Sequence, residues 1–158
     1  MREHLREFEE YNLLINSISS PMMLGLYKGG VLYRVWRLEG YVSETLLSKL
    51  YEIERSYPLK EIIYVNGPGS YMGIKLTFII LETLKIIKGV EFFGTLGFEL
   101  NGNRPIKAMG KLYFVKEGEK ILTKKFDEMV EQNFTLKERW GSISISETDR
   151  PFYHISAV

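Results

Sequence analysis

The chain has 158 residues, 45% hydrophobic and 26% charged, with 21 Lys+Arg against 20 Asp+Glu and a formal charge of +1. That length supports one domain, or one domain with an appendage, and a real buried core, while the even charge supplies no general attraction to nucleic acid or a membrane surface. Cysteine is absent, which excludes disulfide frameworks, thiolate zinc sites and cysteine nucleophiles.

The first ten residues are charged, with Leu5 and Phe8 as their large apolar positions, and read as a short polar helix or extension with no assigned function. They hold no apolar signal region and no run in the chain reaches membrane-spanning length, so a cytoplasmic protein is expected. The two histidines, His4 and His154, sit near opposite ends and are read as exposed or structural. Residues 11–15 form a compact apolar run ending in Asn16-Ser17, then Ser19-Ser20-Pro21 supplies turn chemistry, which predicts a first strand. Residues 22–27 and 31–38 flank Lys28-Gly29-Gly30, the pattern of two antiparallel strands joined by a glycine turn. A three-strand meander follows.

Ser43-Glu44 then opens a predicted helix, with serine as N-cap and glutamate in the first turn. Leu46, Leu50, Ile53 and Tyr57 recur at helical spacing and should face the sheet, with Leu47 and Tyr51 flanking that stripe; Pro58 ends it. Residues 61–66 carry Ile62, Ile63, Tyr64 and Val65 without alternation, as a central parallel strand covered on both faces does.

Asn66-Gly67-Pro68-Gly69-Ser70-Tyr71-Met72-Gly73-Ile74-Lys75 follows. Gly67, Gly69 and Gly73 remove the Cβ where the chain reverses, and Pro68 fixes φ. A strand enters this turn and a helix leaves it, so unpaired N–H groups and the positive end of the dipole make Gly67, Gly69, Ser70, Gly73 and Lys75 candidates for phosphate contact. The glycine spacing misses the dinucleotide fingerprint by one residue, and Lys75 has no hydroxyl after it, so this is no Walker loop. A tight turn needed only for packing is the competing reading.

Residues 74–88 are predicted helical and close at Gly89, a good C′ residue. Leu76, Ile79, Ile80, Leu84 and Ile87 share one arc assigned to the sheet, while Ile74, Phe78 and Leu81 lie near the opposite side among Lys75, Glu82 and Lys85. A helix apolar on two faces wants two partners: a second protein, or the chain's own C-terminal part. Residues 90–93 return as a short strand, 94–105 are loop-rich with a turn at Asn101-Gly102-Asn103, and 111–116 with 120–126 flank Glu117-Gly118-Glu119 as a further hairpin. A short helix could start at 127–130, and a last strand could lie near 152–155. The order of elements predicts an α/β ribonuclease-H-like mixed sheet, divided as an extension over 1–10, a lobe over 11–100 and a reduced second lobe or appendage over 101–158. Such an architecture hosts many functions.

Function comes instead from a resemblance. The glycine turn 66–75, Leu38-Glu39-Gly40, Ser43-Glu44-Thr45-Leu46-Leu47 and Leu14-Ile15-Asn16-Ser17 resemble the TsaB (YeaZ) family of the sugar-kinase, actin and chaperone superfamily, over about residues 11–115. The chain is most similar to small, divergent bacterial members with a shortened second lobe. The resemblance implies a non-catalytic subunit of the complex that makes threonylcarbamoyladenosine beside the tRNA anticodon. It implies binding to the catalytic paralogue TsaD, which carries the metal and nucleotide, with the ATPase subunit TsaE joining and tRNA engaged through the complex. No cofactor or metal of its own is implied, and a homodimer is expected when the partner is absent. Contact runs through the helices over 43–57 and 74–88, which makes Glu44, Leu47, Tyr51, Ile74, Phe78, Leu81, Glu82 and Lys85 the expected interface.

Three departures weaken independent nucleotide chemistry. Asn16 stands where related kinases use an aspartate, Val42 replaces a histidine, and Lys75 replaces an arginine, losing its bidentate fork; a carboxamide is no base and a poor magnesium ligand. The alternatives are a small ATPase or phosphotransferase using the glycine turn with Glu99 or Asp127, and an RNA-binding module using Tyr113 and Phe114 with Lys111 and Lys116. A Ser70 nucleophile would need His4 or His154 to fold back onto it.

Overall fold

The structure, a computed structural model, describes residues 10–152. Residues 1–9 of the N-terminal extension, both histidines and residues 153–155 of the expected last strand lie outside them.

Among the described residues, eight strands and two long helices follow in chain order. β1 (Tyr11–Asn16), β2 (Met22–Lys28) and β3 (Val31–Leu38) form the expected antiparallel meander. Gly29 and Gly30 both take positive φ, at 59° and 82°, the left-handed conformation that glycine tolerates. Helix α1 (Val42–Ser56) leads into β4 (Leu59–Gly67), α2 (Tyr71–Lys88) follows, and β5 (Glu91–Leu96) completes a sheet of order β3-β2-β1-β4-β5. β4 pairs in parallel with β1 on one side and β5 on the other. It is the central parallel strand that its unalternating apolar run predicts. β6 (Ile106–Met109), β7 (Leu112–Glu117) and β8 (Lys120–Lys125) form a separate antiparallel sheet.

Both helices pack on one face of the larger sheet. Leu13, Ile15, Leu24 and Leu26 of the sheet meet Leu46, Leu50 and Ile53 of α1 and Ile74, Leu81 and Leu84 of α2 in one core. The opposite face, built on Leu14, Tyr27, Ile63 and Val65, is covered by residues of the C-terminal segment, among them Phe134, Leu136, Trp140 and Ile143. A third cluster joins Phe98 to Ile106 and Ile121 of the small sheet.

Four local expectations are corrected. The N-cap of α1 is Tyr41, not Ser43, and the Thr45 hydroxyl donates to the Tyr41 carbonyl at 3.0 Å. The second helix starts at Tyr71, three residues earlier than predicted, with Ser70 as N-cap. Residues 127–130 are not helical: a single turn with no buried face does not repay nucleation, and Val130 N–H donates to the Tyr113 hydroxyl instead, at 3.0 Å. Finally, β6 lies in the segment after the Asn101-Gly102-Asn103 turn, where no strand is expected.

Candidate functional site: the glycine turn and the paired helices

The turn sits where predicted, between β4 and α2. Gly67 and Gly69 have φ of +141° and +156°, so both need glycine. Both are also packed. A Cβ on Gly67 would come within 2.8 Å of Phe152 Cβ, and one on Gly69 within 2.6 Å of the Ile18 side chain. The Phe152 N–H donates to the Asn66 carbonyl at 2.6 Å, and Pro68, Gly69 and Tyr71 face Pro151 and Phe152 across a small cleft. The C-terminal segment therefore lies on one side of the turn, and tight packing accounts for its first two glycines.

The remaining phosphate candidates do not converge. Ser70 is exposed and makes no side-chain cap bond. Lys75 is exposed, with its ammonium 5.9 Å from the Tyr71 ring centroid. Asn16 is fully buried and its Oδ1 accepts from the Ile18 N–H at 3.1 Å, closing an Asx turn. Val42 is buried in the α1 core. Glu99 accepts weakly from the Ser144 N–H at 3.4 Å and Asp127 is exposed after β8. Among the described residues there is no histidine to serve Ser70 as a base and no group of three or more metal-ligating side chains. Tyr113, offered as an RNA-stacking residue, is buried with 2% exposure and meets Phe126 edge-on at 5.3 Å. Phe114 packs against the small-sheet cluster.

The helix pair gives a clearer surface. Leu47, Leu50 and Tyr51 of α1 and Ile80, Thr83, Leu84 and Ile87 of α2 line a shallow apolar groove between the helices. Leu47 is 49% exposed, Tyr51 47%, Ile79 48%, Ile87 58% and Ile86 84%, a concentration of exposed apolar side chains that single surface leucines do not make. Glu44 and Glu82 are exposed, and Lys85 pairs with Glu91 at 3.4 Å.

The core-facing side of α2 is rotated from the expected one: Leu84 is buried in the core, with Leu76 and Ile80 packed against it as assigned, but the rest of the arc departs. Ile74 and Leu81, placed at the partner interface by the sequence, are 3% and 1% exposed and belong to the chain's own core. Phe78 stacks on Tyr64 and meets Phe92 edge-on, with Arg150 over its ring. Ile79 and Ile87, assigned to the sheet, are outside. The cause is Thr77, which is fully buried at the centre of the stripe Ile74-Thr77-Leu81-Leu84 and satisfies its hydroxyl by donating to the Gly73 carbonyl at 2.8 Å. A helix apolar nearly all round has no clear phase, and a back-bonded threonine can face the core. The excess of isoleucine in α2 over what one face needs was the available signal for Ile79, Ile86 and Ile87.

Among the described residues, no helix is long and apolar enough to cross a membrane. No family model and no curated protein matches the sequence. Solved structures do. The chain is similar to YeaZ from Pseudomonas aeruginosa, with 10% identity and a TM-score of 0.56 over 78% of this chain and 71% of that one. It is also similar to a protein described as uncharacterized with similarity to peptidase YEAZ from Pseudomonas aeruginosa, with 9% identity and a TM-score of 0.59 over 77% of this chain and 69% of the other.

Proposed function

We propose, from the premise that this chain has the YeaZ (TsaB) fold, that it is a non-catalytic subunit that binds and activates a TsaD-like paralogue for threonylcarbamoyl transfer to tRNA. TsaE and tRNA enter through the assembled complex, in the cytoplasm. The observation that carries the reading is the exposed apolar groove between α1 and α2, lined by Leu47, Tyr51, Ile80 and Ile87. Burying it against a matching helix pair would remove the apolar surface from water, at roughly 25 cal/mol per Å². A second copy of the chain takes the same surface when the paralogue is missing. The glycine turn is consistent with this reading: Gly67 and Gly69 serve packing, and Asn16 offers neither a base nor a carboxylate.

The test is co-purification with the paralogue, followed by threonylcarbamoyl transfer with and without this chain. Loss of both binding and transfer in Leu47→Asp and Ile87→Asp variants that keep the wild-type circular dichroism supports the subunit role. Full binding by those folded variants would sink it, and so would transfer that proceeds equally well without this chain.

A further inference from the structure

Strand β3 is the edge of the larger sheet, and its outer surface repeats one arrangement. The Lys28 ammonium lies 5.1 Å from the centroid of the Tyr33 ring, and the Arg34 guanidinium lies 4.7 Å from Trp36 and 5.9 Å from Tyr57. The Lys49 ammonium approaches Trp36 at 6.0 Å from the far side of α1. Arg34 Nη1 donates to the Tyr57 hydroxyl at 2.9 Å, which fixes the plane of the guanidinium and leaves its other donors exposed with the residue. Tyr57 is held in turn by Tyr11 at 5.1 Å and Tyr33 at 6.3 Å, both edge-on.

We infer that this strip docks RNA, holding its phosphodiester backbone on Lys28 and Arg34 and stacking an unpaired base on Tyr33. Charge complementarity is the argument. In a chain of net charge +1, three cations meet at this edge, Lys28 from the end of β2, Arg34 from β3 and Lys49 from α1, and among the described residues no carboxylate forms an ion pair with Lys28 or Arg34, while Lys49 is paired to Glu52 at 3.2 Å. A guanidinium pre-oriented by a ring and a hydroxyl loses little freedom when it meets a phosphate. Tyr33, 51% exposed, offers a π-face that every base can use. An apolar partner would strand these cations, and an acidic protein surface would leave the ring without a stacking partner.

The strip and the helix groove lie on opposite flanks of α1. Leu47 and Tyr51 turn toward α2, while Lys49 turns toward Trp36. RNA on β3 therefore leaves the apolar groove free. The inference goes beyond the subunit reading and assigns this chain an RNA contact of its own.

The experiment uses the full chain alone. Fluorescence anisotropy of labelled mixed tRNA and of labelled oligouridine is titrated with protein at low salt, with heparin as a polyanion lacking bases. We expect saturable tRNA binding, at least tenfold weaker in Arg34→Glu and in Tyr33→Ala, and a salt slope that falls by about one for each phosphate contact removed. Arg34→Lys keeps the charge but loses the fixed fork, and should fall between wild type and Arg34→Glu. In a Trp140→Phe background the remaining tryptophan, Trp36, should change its emission as tRNA binds. Wild-type affinity in a folded Arg34→Glu variant would overturn the inference. So would heparin binding as tightly as tRNA with Tyr33→Ala unaffected, since that is charge alone. A folded chain that binds tRNA but not the paralogue refutes the subunit reading and leaves this one standing; the converse result does the opposite.

Discussion

Asn66 and Ser146 are joined side chain to side chain: the Ser146 hydroxyl donates to Asn66 Oδ1 at 2.9 Å, while Asn66 Nδ2 donates to the carbonyls of Thr148 and Arg150, each at 2.9 Å. One fully buried carboxamide at the end of β4 thus holds three points of the C-terminal segment. Asn66→Ala removes all three bonds and leaves two carbonyls without these donors, a loss of about 1–3 kcal/mol. Urea denaturation should show that loss, and amide exchange should accelerate over residues 144–152 while β1 stays protected. Uniform acceleration across the sheet would show that Asn66 stabilises the whole fold and not this segment.

This clasp also marks where the sequence stops being legible. The meander and the central strand were readable because Gly29-Gly30 and the run Ile62-Ile63-Tyr64-Val65 carry their conformation locally. Residues 126–152 have no periodicity, and they are held by side chains of distant elements: Thr95 donates to Ser144 at 2.6 Å and Tyr64 to Asp149 at 2.6 Å. No local pattern encodes bonds made across some fifty to eighty residues of chain. The α2 face failed for another reason, since Thr77 scores as polar yet sits in the core. At the candidate site, Leu47 and Tyr51, read as flanking the buried stripe of α1, are exposed beside it. The packing role of Gly67 was not, because Phe152 meets it from the other end of the chain.

Gly69 and Gly89 separate packing from conformation. Gly89 ends α2 at φ +71° with nothing within 4 Å of a Cβ, whereas Gly69 at φ +156° would place its Cβ 2.6 Å from Ile18. Gly89→Ala should cost about 1 kcal/mol, the conformational term alone. Gly69→Ala adds a clash with a side chain shared by all three core clusters and should cost at least 1–3 kcal/mol more. Thermal denaturation of the two variants side by side reads the difference, and equal midpoints would mean that the Ile18 contact relaxes freely.

The rotated face of α2 gives a paired test. Leu81, 1% exposed, should cost about 2–5 kcal/mol on truncation to alanine. Ile87, 58% exposed, should change stability by less than about 0.5 kcal/mol. The phase assigned from sequence predicts the reverse order, so one denaturation series on Leu81→Ala and Ile87→Ala decides which face is inside.

Tyr27 makes stability depend on alkaline pH. Its ring is buried against Trp140 at 5.2 Å, its hydroxyl donates to the Lys137 carbonyl, and burial pushes its pKa well above the ordinary tyrosine range. An unfolded tyrosine releases its proton near pH 10, while the folded one keeps it. Above that pH the folded state binds more protons, so stability falls as pH rises. The contribution is therefore complete below about pH 10 and is lost progressively above it, with a limiting slope of about 1.4 kcal/mol per pH unit. Tyr27→Phe should lose about 0.5–1.5 kcal/mol at neutral pH, where the hydrogen bond is made. It should also flatten the decline between pH 10 and 11 relative to wild type. Parallel declines in the two proteins would assign the alkaline loss to other groups, and the flatter line in Tyr27→Phe ties the seam between β2 and the C-terminal segment to this one hydroxyl.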